Sequence, residues 1–347
     1  MKNRTGVISW GNVFFFGAAI VLFVIAFHYL TDIKLVAHMF RSVRVGWLSV
    51  AILAQAATYL CTAIAYERGL RMCEAPPVPL GALFTASVVA LFVNQAIPSG
   101  EMSGGVFLSD FLAKRGTPLR RAFSVFFIEL LAFYVAAITL IVIVALVCFF
   151  VHVPEFVLPI LGGGLLVYVF FFTIITLIGK GKFLSRIIRR LQTISFFKKY
   201  VDNLHTIQEE AHTDNVHHPL QLLLHKKKSS LEAVLAQIGV FVADALTVYA
   251  LFAGLDGKVS FFVIFCVMVL TKIVAVVPIA PGALILFESS MVFFLVSFGV
   301  GTSVALVVTL LYRALSFWLP MPIGLFLYRR MRKNNRASNQ HLAIRHV

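Results

Sequence analysis

Long apolar runs alternate with short polar segments along this chain of 347 residues. About 20 consecutive apolar residues cross a bilayer as a helix, and six runs are long enough to do so. The six predicted spans are Trp10–Leu30, Trp47–Tyr66, Phe123–Phe150, Phe156–Ile178, Leu231–Phe252 and Thr302–Leu327. The pattern therefore predicts an all-α polytopic membrane protein.

Two further apolar stretches are interrupted by proline and glycine. The first break, Pro98-Ser99-Gly100-Glu101, follows the second span, and the other, from Pro278 to Pro281-Gly282, follows the fifth. Such breaks free backbone groups that lipid cannot satisfy, so they occur where protein or a water-filled cavity surrounds them. Paired breaks in two halves of a chain are typical of a transporter's substrate site.

Composition and charge agree with this interpretation. Hydrophobic residues make up 60% of the chain and charged residues 13%, whereas soluble domains carry about 25% charged residues. The polar segment 179–230 is too short to form a catalytic domain of its own, so any function lies in or at the bilayer. We expect a transporter-type protein, with a lipid-modifying enzyme as an open alternative. No nucleotide-binding motif and no convincing zinc spacing is present, and we expect neither a cofactor nor a metal.

The distribution of basic residues predicts the orientation. With the N-terminus in the cytoplasm, most of the 30 Lys and Arg residues lie inside, including those of the 179–230 loop and the 328–347 tail. The net charge of +15 then faces the anionic inner leaflet rather than nucleic acid. We expect the bacterial inner (cytoplasmic) membrane, with both termini cytoplasmic.

This orientation constrains the broken stretches. Residues 80–112 must enter from the cytoplasm and return there, while residues 260–298 enter and return from outside, as two re-entrant helix pairs. Each half, 1–155 and 156–347, then holds three full spans and one pair, which makes the halves two inverted repeats. The alternative is that each broken stretch is two ordinary spans, giving ten crossings.

The second half carries a recognisable string, and the first half matches more loosely. The residues concerned are Pro281-Gly282, Phe287-Glu288, Leu310–Pro320 and Gly324, then Asn94, Pro98, Gly104 and Lys114-Arg115-Gly116. The string resembles the P-G-x-x-x-x-x-E and L-x-Y-R-x-x-x-F-W-x-P-x-x-x-G pattern of the lysylphosphatidylglycerol synthase transmembrane-region family, which are flippase-like membrane proteins. The resemblance covers nearly the whole chain.

The resemblance implies a function in lipid movement. The best-known members move aminoacylated phosphatidylglycerol across the bilayer with this region and make it with a soluble domain, whereas we expect a stand-alone form that translocates without synthesis. Other stand-alone members are linked to hopanoid-type and polyprenyl-linked lipids. The expected partners are membrane lipids, anionic or aminoacylated phospholipids or isoprenoid-type lipids. A homo-oligomer and a lipid-modifying enzyme partner stay open.

Two arginines of the family pattern are missing. Many members carry Gly-Glu-x-x-Arg after the first break, where this chain has Gly104-Gly105-Val106-Phe107. Many also have Glu-Arg in the third span, where Glu129 is followed here by Leu130. These departures weaken the expectation of a strongly anionic headgroup.

Four residues around the second break are substrate candidates, together with the break itself at Pro281-Gly282. Arg313, beside Tyr312, can hold phosphate or carboxylate with its planar fork, or it forms a structural pair with Glu288 or Glu129. Lys272 either faces the cavity at the second break or extends its ammonium group to the membrane surface. Glu288 binds a headgroup amine, carries a coupling proton, or holds Arg313 in place.

The remaining candidates lie elsewhere in the apolar runs. Ser99, Gly100 and Glu101 line the first break, although Glu101 could simply cap the helix that follows. Asp244 and Glu129 are candidates for proton coupling, and a structural hydrogen bond explains Asp244 equally well. Asn94, Gln95 and Gln237 are better explained as links between helices.

The sequence thus predicts a lipid translocase with a central cavity at the paired breaks. A first alternative is a membrane-embedded enzyme that modifies a lipid headgroup, with Glu67, Glu101 and Asp110 as its available acids. A second is a non-catalytic partner of a glycosyltransferase or a lipid-modifying enzyme.

Overall fold

The computed structural model describes residues 43–96, 102–151, 153–178, 219–276, 283 and 285–331. Within these ranges the regular structure consists of ten helices, without β-strands. They are α1 (Val45–Met72), α2 (Leu80–Ala96), α3 (Met102–Ala113), α4 (Leu119–Cys148), α5 (Val157–Ile178), α6 (Pro219–His225), α7 (Lys227–Gly254), α8 (Phe261–Ala275), α9 (Leu286–Ser297) and α10 (Thr302–Met331).

Five helices are long and apolar enough to cross a membrane, namely α1, α4, α5, α7 and α10. They coincide with five of the six predicted spans, and the sixth, Trp10–Leu30, lies outside the described residues. Helices α2, α3, α8 and α9 are shorter. Even α2, with 17 residues, measures only about 26 Å, less than the hydrocarbon core of about 30 Å. The chain is a multi-pass membrane protein.

Helix α7 begins before the predicted span Leu231–Phe252. It starts at Lys227, and α6 occupies Pro219–His225, within the segment 179–230 that is polar and basic in sequence. Lys and Ser tolerate helical backbone, and neither Gly nor Pro separates Lys227 from the apolar run, so the helix extends about one turn ahead of that run.

Helices α1–α4 and α7–α10 follow the same order of long, short, short and long. Their lengths are 28, 17, 12 and 30 residues in the first group and 28, 15, 12 and 30 in the second. In both groups consecutive helices pack together, and the first helix also packs against the last. This correspondence supports an internal repeat.

Equivalent helices also end in the same way. Gly116 after α3 and Gly299 after α9 have φ values of 87° and 86°, and each closes a Schellman turn. Glycine is needed there because side chains disfavour this left-handed backbone. Two residues after the ends of α1 and α7, an acidic residue adopts the same left-handed conformation, Glu74 at φ 50° and Asp256 at φ 57°.

The most extensive contact between two helices joins α1 to α7. Arg44, before α1, pairs with Asp256, after α7, at 2.8 Å. Lys226, before α7, pairs with Glu74, after α1, at 2.6 Å. The start of each helix therefore lies beside the end of the other, and the two helices run antiparallel. Such exposed pairs add little stability, but their positions agree with the antiparallel arrangement of α1 and α7.

An aromatic cluster occupies the core where α4 packs on α5 and α7. Phe133 stacks on Phe241 with ring centroids 5.5 Å apart, and Tyr134 packs against Tyr168 at 5.6 Å. The Tyr168 hydroxyl donates to the carbonyl of Lys272 on α8 at 3.3 Å. Through this hydrogen bond the aromatic cluster contacts the backbone of α8.

Helix α5 approaches α8 closely at Gly164. A Cβ atom at Gly164 would lie 2.5 Å from Cδ1 and 2.7 Å from Cγ2 of the buried Ile273. At the neighbouring Gly163 a Cβ would meet no atom within 4 Å. Small residues allow this kind of close packing between membrane helices.

We expect Gly164→Ala to lower the free energy of unfolding by about 1–3 kcal/mol, because the added methyl overpacks the contact with Ile273. Gly163→Ala, in the same helix, is the matched control and should be neutral or slightly stabilising. Denaturant titration of both variants in mixed micelles measures the difference. Equal stability of the two variants would contradict the close approach.

Candidate functional site

Arg313 on α10 and Glu288 in the first turn of α9 form a buried ion pair. Arg313 Nε donates to Glu288 Oε1 at 2.5 Å, and the two side chains are 8% and 11% exposed. The guanidinium carbon also lies 4.8 Å from the ring centroid of Phe287 and 4.7 Å from that of Phe317. The cation is therefore held by one carboxylate and two aromatic faces.

A π-helical turn, Ala314–Trp318, follows Arg313 directly. Within it the N–H of Leu319 donates to the carbonyl of Ala314 at 2.8 Å. Pro320 explains the wider turn, since proline has no N–H and its ring conflicts with the carbonyl four residues earlier in an α-helix. Single π turns of this kind are frequent at functional sites.

The backbone leading into α9 is strained. Ala283 and Ile285 have φ values of 50° and 73°, a conformation that is unusual for any residue with a side chain and rare for a β-branched one. Glu288 lies just beyond, where a carboxylate interacts favourably with the helix N-terminus. Local strain persists only where surrounding contacts enforce it, and the pair with Arg313 is such a contact.

Lys272 on α8 and Asp244 on α7 form the second intramembrane ion pair. Lys272 Nζ lies 2.7 Å from Asp244 Oδ2, and the side chains are 19% and 5% exposed. Thr58 Oγ1 of α1 donates to Asp244 Oδ1 at 3.2 Å. The ammonium also lies 4.8 Å from the Phe241 ring centroid. This pair joins three helices.

Tyr312 packs beside the Arg313–Glu288 pair. Its ring stacks on Phe287 with centroids 5.6 Å apart, and it is 3% exposed. Phe287 also lies against the Arg313 guanidinium. The sequence named Tyr312 only as the neighbour of Arg313, and the structure buries it against the same aromatic ring.

Glu129 on α4 is bonded to a neighbouring helix. Its Oε1 accepts a hydrogen bond from Gln237 Nε2 of α7 at 2.8 Å. The sequence left Glu129 and Glu288 open as partners for Arg313, and the structure pairs Arg313 with Glu288. Gln237 links two helices, as the sequence predicted.

Hydrogen bonds to an asparagine side chain join the first two short helices, α2 and α3. Asn94 Oδ1, on α2, accepts from the N–H of Gly104 at 2.6 Å and from Ser103 Oγ at 3.1 Å, both on α3. A Cβ at Gly104 would lie 2.7 Å from the carbonyl oxygen of Ala90, so the two helices approach through glycine. In the first half an amide and close packing join the two short helices, whereas in the second half each ion pair joins a short helix to a long one.

Not all candidates fall within the described part of the chain. Ser99, Gly100, Glu101, Pro281 and Gly282 lie outside it, and their role stays a prediction. The structure adds Thr58, Phe241 and Phe317 to the site. Phe241 shares a face of α7 with Asp244, three residues on, and this spacing could have indicated it. Thr58 could not be recognised without knowing which helix packs on α7.

Five membrane-crossing helices and two buried ion pairs define a multi-pass membrane protein with a polar interior. The chain belongs to the lysylphosphatidylglycerol synthase transmembrane-region family, whose pattern matches residues 14–324. This match confirms the family that the sequence motifs indicated.

Two relatives match over shorter stretches. A UPF0104 membrane protein of Pyrococcus horikoshii is 31% identical over 113 residues, which is 32% of this chain and 34% of the relative. A UPF0104 membrane protein of Methanothermobacter thermautotrophicus is 25% identical over 105 residues, 30% of this chain and 31% of the relative. The chain thus spans about a third of the length of these relatives.

We expect Glu288→Gln to lower the free energy of unfolding by about 3–5 kcal/mol, because it leaves the buried Arg313 without its carboxylate. The double variant Glu288→Gln/Arg313→Gln should lose less, since no charge is then left uncompensated. Denaturant titration in mixed micelles measures both. A double variant no more stable than the single one would show that the pair is not a coupled unit.

Proposed function

We propose that this protein is a flippase-type lipid translocase of the inner membrane. A phospholipid or another polar-headed lipid would pass its headgroup through a cavity between the paired breaks while its tails stay in the bilayer. The observation that carries the proposal is the buried group of Arg313, Glu288, Lys272 and Asp244. Charges within a bilayer are costly, and they usually mark a pathway or a partner.

Family membership supports a lipid as the substrate. The family is described as the transmembrane region of a synthase whose product is a membrane lipid, and this chain matches it over residues 14–324. The substrate class that follows is an anionic or aminoacylated phospholipid, or an isoprenoid-type lipid.

The helix arrangement supports inverted repeats. Helices α1 and α7 hold the same place in the two groups and run antiparallel, as inversion requires. The four short helices fall short of the bilayer thickness, which favours re-entrant pairs over ten full crossings. Basic residues gather where α1 ends and α7 begins, at Arg68, Arg71 and Lys226–Lys228, so we place this end and both termini in the cytoplasm.

The ion pairs suggest how a headgroup is accommodated. A phosphate or carboxylate can replace Glu288 at Arg313, and an amine can replace Lys272 at Asp244, so that each buried charge exchanges one partner for another. Transport then equilibrates the lipid between leaflets, or couples to protons through Glu288 or Asp244.

Two of the three acids named for the enzyme alternative are engaged in ion pairs, and the third, Glu101, lies outside the described residues. Glu67 pairs with Arg71 at 2.5 Å, and Asp110 pairs with Lys114, each one turn further along its helix. In both cases the carboxylate already contacts a cation of its own helix. These contacts favour transport over headgroup chemistry.

Reconstitution into liposomes tests the proposal. With fluorescent phosphatidylglycerol or phosphatidylethanolamine, and a membrane-impermeant quencher added outside, the protein should accelerate exchange between leaflets. Undecaprenyl phosphate is the test lipid for the isoprenoid class. Failure to move any of these lipids, with or without a proton gradient, would overturn the proposal.

We expect the double variant Glu288→Gln/Arg313→Gln to slow exchange about tenfold or more, a barrier change near 1.4 kcal/mol. Glu74→Gln removes a carboxylate from an exposed pair outside the bilayer and is the control that should keep the rate. A double variant that is folded, as its circular dichroism and elution volume show, and still moves lipid at the original rate would exclude the ion pair from the pathway.

A further inference from the structure

Glu288 buries a carboxylate oxygen that has no hydrogen-bond partner among the described residues. Its Oε1 accepts from Arg313 Nε at 2.5 Å, whereas its Oε2 is buried and receives no donor. The residue as a whole is 9% exposed. A buried acceptor without a donor is destabilising, and such atoms are rare in native structures. Among the carboxylates of the described residues, Glu288 is the one that buries an oxygen of this kind.

Asp244, the acid of the other ion pair, uses both of its oxygens. Its Oδ1 accepts from Thr58 Oγ1 at 3.2 Å, and its Oδ2 lies 2.7 Å from Lys272 Nζ. A proton on Asp244 would therefore displace one of two existing contacts, whereas a proton on Glu288 Oε2 displaces none. Hydrogen bonds to a carboxylate favour its charged form, so Glu288 is the better proton acceptor of the two.

We propose that Glu288 takes up one proton on Oε2 when an anionic headgroup binds to Arg313, so that lipid and proton cross the membrane together. The headgroup phosphate replaces the carboxylate at the guanidinium, and a proton from water joins the released carboxylate. The site then holds a cation, an anion and a neutral acid, so its charge stays balanced. This inference rests on the translocase function proposed above.

Charge compensation is the reason that the proton is required. A carboxylate released from Arg313 without a proton is an uncompensated charge in a low-dielectric interior, which is strongly unfavourable. Such a group becomes neutral instead. A proton on Oε2 also gives that oxygen a hydrogen to donate, so the buried acceptor no longer lacks a partner for its lone pairs alone.

The helices around Glu288 offer no second cation for it. Helix α9 packs against α8 and α10, and Lys272, the cation of α8, is held by Asp244. Arg329 and Arg330 lie about four turns beyond Arg313 along α10. The other ionisable residues of α8 and α10, none of them cationic, are Cys266, Tyr312 and Tyr328. The segment before α5 touches α9 through Phe156, and its acid, Glu155, is exposed.

Protonation also acts on the strained backbone that leads into α9. Ala283 and Ile285 hold left-handed conformations, and strain of this kind persists only while surrounding contacts enforce it. The ion pair of Glu288 with Arg313 is such a contact. Its loss on protonation lets this backbone relax, which links proton uptake to movement of the short helix α9.

Proton uptake on lipid binding tests the exchange without transport. Short-chain phosphatidylglycerol is titrated into the protein in weakly buffered neutral micelles that contain a pH indicator dye. The unmodified protein should take up about one proton per bound lipid, and so should Glu74→Gln, which changes an exposed pair. Glu288→Gln, which resembles the protonated acid, should bind the lipid and take up none. Binding without uptake in the unmodified protein, or equal uptake in Glu288→Gln, would overturn the proposal.

A pH gradient across liposomes tests the coupling and needs no variant. A phosphatidylglycerol anion and a proton cross as a neutral pair. A gradient of one pH unit should therefore enrich this lipid about tenfold in the leaflet that faces the alkaline side. The enrichment should form faster than in protein-free liposomes, and a membrane potential alone should cause none.

The outcomes separate the coupling from the translocase function. Rapid exchange that leaves the two leaflets equal under the pH gradient, or enrichment driven by the membrane potential, would refute the coupling and keep the translocase. Proton uptake in micelles by a protein that exchanges no lipid in liposomes would refute the translocase and keep Glu288 as the proton-binding group.

Discussion

Compensation of charge inside the bilayer is the constraint on which this structure depends. An ionised side chain in a low-dielectric interior is stable only beside a partner, and both cations described there have one. The partner always comes from another helix, because Arg313 reaches from α10 to α9, and Lys272 from α8 to α7. Each ion pair therefore links a helix to the next one in the chain.

The sequence predicted the helices better than their partners. Apolar run length alone located α1, α4, α5, α7 and α10, because crossing a bilayer sets a minimum length. Proline and glycine located the interruptions between the short helices for an equally local reason. The partner of Arg313 was left open between Glu288 and Glu129, since it depends on how α9 and α10 pack. The contact of Thr58 with Asp244 depends on two helices far apart in the chain.

The two groups of four helices have similar backbones but different polar side chains. If Gly116 and Gly299 are taken as equivalent, Leu130 stands where the second group has Arg313, and Gly105 where it has Glu288. Helix lengths and turns match, whereas among the described residues the two buried ion pairs that involve a short helix lie in the second group. The two arginines that the family pattern would add are missing from the first group. Its short helices are joined instead by Asn94 and by the close approach at Gly104.

The antiparallel pairing of α1 with α7 has a consequence for how the protein is made. Their first residues, Val45 and Lys227, are about 180 residues apart, so α1 leaves the ribosome roughly 10 to 40 seconds before α7. During that interval the face of α1 that later meets Asp244 has no α7 to cover it. Asp244 in turn is synthesised before Lys272. The membrane insertion machinery must therefore tolerate a half-built protein whose polar groups still await their partners.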